Sequence, residues 1–205
     1  SASLFLVKNI FSFLLSLVSI IFVFTYPLGP SQISLISMFT IGIPGFFLSL
    51  QPNKNVIKGH FLQNVLLKAL PAGLTDVLVV AALAIFSQTF GVGGEDLSTA
   101  STMLLAIVGF MILFKICKPL NPFRAVICAG CIIGFLASCF LFPGLFGISS
   151  MSTKCVMLFV VFSIATEPIL RYLTKFNEFV QKVYENREYY KKKILSVKEV
   201  LQKAE

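Results

Sequence analysis

Apolar residues fill most of this chain in stretches about as long as a bilayer is thick, separated by short charged, polar or turn-rich breaks. A helix rises about 1.5 Å per residue, so crossing the hydrocarbon core takes about 20 apolar residues. By that ruler the pattern predicts six spans, over 4–26, 32–50, 70–90, 102–116, 123–142 and 155–173, the fourth being the shortest. Tyr26-Pro27-Leu28-Gly29-Pro30 reads as a tight turn that makes the first two helices an antiparallel hairpin. After residue 173 the pattern changes. Apolar residues at 176, 180, 183, 190, 194, 197 and 201, with Arg187 in the gap, alternate four and three apart, the seam of an amphipathic helix. The expected fold is all-α: a polytopic membrane helix bundle over 1–173, then a basic amphipathic cytoplasmic tail helix over 174–205.

The second span carries its own breaker, Ser37-Met38-Phe39-Thr40-Ile41-Gly42-Ile43-Pro44-Gly45. Pro44 has no N–H, and its ring clashes with the carbonyl four residues back, that of Thr40. Gly42 and Gly45 flank the break and are expected to let the backbone unwind. In a bilayer a freed carbonyl needs a partner inside the protein or in a wet cavity. Broken membrane helices of this kind line binding sites in transporters.

Polar residues on the neighbouring helix share a side. Lys8, Ser12, Ser16 and Ser19 are spaced four, four and three, and Asn9 sits beside them. Serines alone are explained by close helix packing. Lys8 reads either as a lysine snorkelling to the interface or as a buried functional charge. Ser34, Ser37 and Thr40 form the matching stripe on the second helix, and the two stripes are expected to face one another. Asp76, about one turn inside the third span, is a functional candidate as an intramembrane acid, but near the cytoplasmic end a structural hydrogen-bonding role is favoured. Gly130, Gly134 and Ser138 make a small-residue seam, and Glu167 and Arg171, four apart, a structural salt bridge. Cys128 and Cys131 form a C-x-x-C inside an apolar helix, where packed small residues are favoured over a soft-metal site. His60 reads as a solvated loop residue.

Composition agrees with a membrane protein: 57% hydrophobic residues and a mean hydropathy of +0.89. The net charge of +8 comes from 17 Lys and Arg against 9 Asp and Glu. Basic residues concentrate in the 52–69 and 115–124 connections and in the tail, while 27–31, 91–101 and 143–154 carry few. That bias places both termini in the cytoplasm and leaves no need for a nucleic-acid partner. The five cysteines lie in or at the edge of spans and cannot form a secreted-type disulfide framework. The first apolar stretch is too long for a signal peptide and has no small-residue cleavage site after it. The chain has no initiator Met and is expected to be a fragment of something longer. It contains no P-loop, no H-E-x-x-H and no nucleophile elbow, and by itself has no route to hydrolysis.

Thr40-x-Gly42-x-Pro44-x-x-x-Leu48, followed by Gln51-Pro52-Asn53, resembles the sixth membrane helix of P-type cation-transporting ATPases. Lys8-Asn9-Ile10 resembles the lysine–asparagine pair of the fifth helix in that family, with a matching distance from Asn9 to Thr40. The rest of the chain is similar in plan: a basic loop, then four more helices with short connections. The resemblance, strongest to bacterial members, implies helices five to ten of such a pump. It implies a cation site between the first two helices here, with Asn9, Ser12, Ser37 and Thr40 as candidate ligands, a helix break at Gly42, Pro44 and Gly45, and Lys8 as an internal counter-charge. Ser12 and Ile41 stand where the calcium pumps carry carboxylates, which departs from ordinary Ca²⁺ coordination. It further implies ATP and Mg²⁺ as cofactors of the parent chain, an aspartyl-phosphate intermediate formed elsewhere in it, and as partners the transported inorganic cation, the missing first four helices and cytoplasmic domains, and the lipid bilayer of a bacterial plasma membrane.

The expected function is therefore the transport half of an ATP-driven cation pump. Two rivals stand beside it. A self-contained six-helix permease would show internal repeats, but the Gly-Ile-Pro-Gly break has no second copy. A non-catalytic assembly subunit would use the tail as its interaction arm.

Overall fold

The computed structural model describes the backbone of residues 2–50, 61–118 and 121–202, and side chains over 6–50, 69–118, 121–184 and at 186. Among the described residues every regular element is helical. The chain runs α1 (Ala2–Ile21), α2 (Pro30–Ser37), a π-helical turn (Met38–Gly42), α3 (Ile43–Ser49), α4 (Phe61–Phe90), α5 (Gly94–Cys117), α6 (Pro122–Leu141), the short α7 (Pro143–Phe146) and α8 (Thr153–Gln202). Five stretches are long and apolar enough to cross a bilayer: Pro30–Ser49, Ala69–Phe90, Gly94–Cys117, Pro122–Leu141 and Thr153–Tyr184; a shorter apolar helix covers Leu6–Ile21. The chain is thus a multi-pass membrane helix bundle, as its hydropathy predicts.

The central element is α4, which packs against α1, α5 and α8. It is apolar all round rather than on one stripe, the pattern of a helix with neighbours on every side. Val79, Val80, Leu83 and Ala84 are each at most 1% exposed. Gly73 allows α1 to come close: a Cβ there would lie 2.9 Å from Ile10 Cγ2. The outer helices instead turn large apolar side chains outward, Phe13, Ile20, Ile133, Phe140 and Ile164 among them, as a lipid-facing surface requires.

Several boundaries differ from expectation. The first helix ends at Ile21, and Val23 takes a positive φ of 52° in the turn that follows. α5 starts at Gly94, not near 102, because Glu95 and Asp96 stand in its first turn, where negative side chains complement the helix dipole. The tail is not a separate helix: α8 runs without interruption from Thr153 to Gln202 through Pro168. The Glu167–Arg171 ion pair forms on it, with Arg171 Nε donating to Glu167 Oε1 at 3.1 Å. Of the small-residue seam on α6, Gly134 alone is a close contact, its would-be Cβ 2.5 Å from Phe39 Cε1; Gly130 has nothing within 4 Å. The cysteines are free and buried, with Cys128 Sγ 3.2 Å from Cys117 Sγ. His60 and the Gln51-Pro52-Asn53 ending lie outside the described residues.

One end of the bundle is tied by Gln32, 3% exposed at the start of α2. Its Oε1 accepts from the Gly29 N–H at 2.9 Å and from Ser98 Oγ at 2.6 Å, and its Nε2 donates to the Gly147 carbonyl at 2.9 Å. Gly147, at φ 61°, closes α7 in the left-handed conformation that favours glycine. Three elements therefore meet on one side chain. Replacing Gln32 with leucine strands three polar groups and is expected to cost about 3 kcal/mol. The readout is a lowered thermal midpoint in detergent; an unchanged midpoint would show that these groups find other partners.

Candidate functional site

The proline-bearing helix is broken in register rather than unwound. The π turn at Met38–Gly42 has Ile43 N–H donating to the Met38 carbonyl, five residues back. Pro44 then falls in the first turn of α3, where no N–H is required. Proline supplies no donor to Phe39, its partner in the π register, or to Thr40, its partner in the α register. The backbone at Gly42 is right-handed helical, φ −65° and ψ −65°, so the expectation that glycine unwinds this segment is corrected: the extra residue of a π turn accommodates the proline instead.

Beside this turn is a cavity with about 50 Å³ of space for water, enough for about three molecules. Lys8 and Ser12 line it from α1, Ser37 from α2, Thr40 from the π turn and Asp76 from α4. Phe11, Ile36 and Leu105 are among the apolar residues that complete the wall. Gly109 of α5 also lines it and lets Thr40 approach: a Cβ at 109 would lie 2.7 Å from Thr40 Cγ2.

The hydroxyl chemistry is set by the helices. Ser37 Oγ donates to the Ile33 carbonyl at 2.6 Å, and Thr40 Oγ1 donates to the Ile36 carbonyl at 2.7 Å. With its proton turned back onto the helix, each oxygen keeps lone pairs for another donor or a cation. The Ser12 hydroxyl lies near that of Tyr26, which comes from the turn after α1. Lys8 is partly buried and forms no ion pair among the described residues.

The structure thus brings together four of the predicted site residues, Lys8, Ser12, Ser37 and Thr40. Pro44 and Gly45 are buried just beyond them and are not part of the wall; Gly42 is exposed. Asn9 is exposed and does not line the cavity. Adjacent residues on a helix point about 100° apart, so Asn9 cannot share the face of Lys8.

Asp76 of α4 lines the same cavity. It is 5% exposed, and its Oδ1 has no hydrogen-bond partner among the described residues. The signal was present in the sequence: an acid inside an apolar span is a functional candidate by default. Among the described residues no group of three or more His, Cys, Asp or Glu converges. Among the described residues, an ion held here would meet the hydroxyls of Ser12, Ser37 and Thr40 and the Asp76 carboxyl group.

No family model matches the chain. It is 32% identical over 160 residues, 74% of its length, to the protein named "Probable cation-transporting ATPase exp7" of Streptococcus pneumoniae, covering 20% of that protein. It is 30% identical over 153 residues, 66% of its length, to the calcium-transporting ATPase CtpE of Mycolicibacterium smegmatis, covering 19% of it. To CtpE of Mycobacterium bovis it is 31% identical over 137 residues, 60% of this chain and 17% of that protein. The chain spans about a fifth of the length of these curated relatives. A polytopic helix bundle, a proline-set π turn and these matches agree: the chain belongs to the P-type cation-transporting ATPases, as a membrane stretch of such a protein.

Proposed function

We propose that this chain forms part of the cation site and translocation path of an ATP-driven ion pump. The observation that supports it most is the convergence of Lys8, Ser12, Ser37 and Thr40 on one cavity beside the π turn at Met38–Gly42. The relatives' names, cation-transporting and calcium-transporting, point the same way. On this reading α1 would stand fifth and α2 to α3 sixth among the membrane helices of the parent chain. The first four helices and the cytoplasmic domains would be supplied by the rest of that polypeptide. ATP and Mg²⁺ would act there, and the outward face of α1 that carries Asn9 would meet the missing helices. On this reading both termini would lie in the cytoplasm, the side that positively charged connections favour, and the pump would sit in the plasma membrane.

Chemically, the cavity replaces part of a cation's water shell with fixed oxygens. Two hydroxyls are already oriented by their bonds to Ile33 and Ile36 and need little reorganisation when an ion arrives. Lys8, on the same wall, raises the electrostatic cost of occupancy and would help expel the ion or take its place.

The test is Thr40→Ala in the complete pump. The cation concentration for half-maximal ATPase stimulation is expected to rise about tenfold or more, the worth of one bond to a charged group. Expression and thermal midpoint are expected to stay as in the wild type. An unchanged cation dependence would sink the reading.

A further inference from the structure

We propose that Asp76 is a direct ligand in this cavity and that the ion it binds is a hard, oxygen-seeking cation of the alkali or alkaline-earth class. The inference rests on the reading of the cavity as a cation site and adds a ligand from a third helix, α4.

Asp76 is 5% exposed and lines the cavity, with Oδ1 wholly enclosed and unpaired. A carboxylate buried without a partner is costly, and such groups are retained in membrane spans where a substrate or ion completes them. Among the described residues nothing on the surrounding helices hydrogen-bonds Oδ1. Val7, Phe11, Ile36, Leu105 and Ile112 present hydrocarbon to the same space. Next to Asp76 in sequence, the Thr75 hydroxyl is already committed to the Pro71 carbonyl at 2.7 Å. Lys8 lines the same cavity but makes no ion pair with Asp76. A cation with one or two of its waters, for which the cavity has room, would supply the partner that Asp76 lacks.

The wall sets the class of ion. Among the described residues its donors are the oxygens of Ser12, Ser37, Thr40 and Asp76, and no Cys, His or Met lines it. Hydroxyl, carbonyl and carboxylate oxygens suit hard cations, whereas copper and zinc sites use sulfur and imidazole. Among the described residues Asp76 is also the only acid on the wall, since Ser12 and Ile41 bring none. The carboxylate such an ion calls for thus comes from α4 rather than from the two helices that carry the hydroxyls.

The experiment titrates the complete purified pump with Ca²⁺, Mg²⁺ and K⁺, reading stimulated ATP hydrolysis, and carries the effective ion through Asp76→Asn, Asp76→Glu and Thr40→Ala. Asp76→Asn keeps the shape and removes the charge. It is expected to raise the half-activating concentration by more than about tenfold, since even outer-shell partners of a bound metal are worth that much. Asp76→Glu is expected to recover part of the loss. In the wild type, dicyclohexylcarbodiimide is expected to label Asp76, as located by mass spectrometry, and the effective ion to suppress that labelling severalfold. This measurement stands even where a variant fails to fold. If Asp76→Asn keeps the wild-type ion dependence while Thr40→Ala loses it, the role of Asp76 is overturned and the cavity reading survives. If neither changes, the cavity reading falls with it. Labelling of Asp76 that the ion does not alter, or a wild type stimulated by none of the three ions, overturns the assignment.

Discussion

Pro44→Ala is expected to reduce cation-stimulated ATP hydrolysis of the complete pump by at least about tenfold while leaving expression unchanged and the thermal midpoint equal or higher. The physical reason lies in the register. Met38–Gly42 is a π turn, closed by Ile43 N–H to the Met38 carbonyl, and Pro44 follows it in the first turn of α3. An alanine at 44 regains the N–H that proline lacks. The Thr40 carbonyl can then accept an ordinary α-helical bond, and the reason for the extra residue disappears. Returning a π turn to α-helix rotates one half of the helix by about 100° against the other. Ser37 and Thr40 cannot then both face Ser12 while α3 stays packed. Proline at this first-turn position donates no bond that alanine would lose, so its removal is not expected to harm folding. Transport and expression falling together would instead give Pro44 a folding role.

This contrast between local and tertiary information explains what the sequence revealed. The spans were legible because hydropathy over about 20 residues is a direct consequence of lipid solvation. The cavity wall was legible because Lys8 and Ser12 are one helical repeat apart, as Ser37 and Thr40 nearly are, so each pair must share a face. Asn9, about 100° around α1 from Lys8 by the same geometry, does not reach this wall. That Pro44 would disturb its helix was legible; that the disturbance would be a π turn was not, because missing an N–H permits several backbone solutions. Asp76 was visible as an intramembrane acid, but its role depended on what packs around α4, which no local pattern contains. Gln32 and Gly109 were silent for the same reason: the first acts through Ser98 and Gly147, the second through Thr40.

Gly109 supplies the second large effect. A Cβ at 109 would stand 2.7 Å from Thr40 Cγ2 and 3.0 Å from its Cβ, closer than side chains tolerate. Thr40 cannot swing aside easily. It is β-branched, and its Oγ1 is held by the Ile36 carbonyl at 2.7 Å. The strain of Gly109→Ala must therefore move α5 and the π turn apart, at the point where the cavity is narrowest in chemistry. Displacing a site by about 1 Å can cost on the order of 100-fold. Cation-stimulated hydrolysis is expected to fall by about tenfold to a hundredfold, with the half-activating ion concentration raised. Thr40→Ser removes the methyl that the new Cβ meets and keeps the hydroxyl. The double variant Gly109→Ala with Thr40→Ser is therefore expected to recover most of the activity, a coupling that independent sites would not show. If Gly109→Ala alone behaves as wild type, or the double variant is no better than the single one, contact between α5 and the π turn does not set the geometry of the ion path.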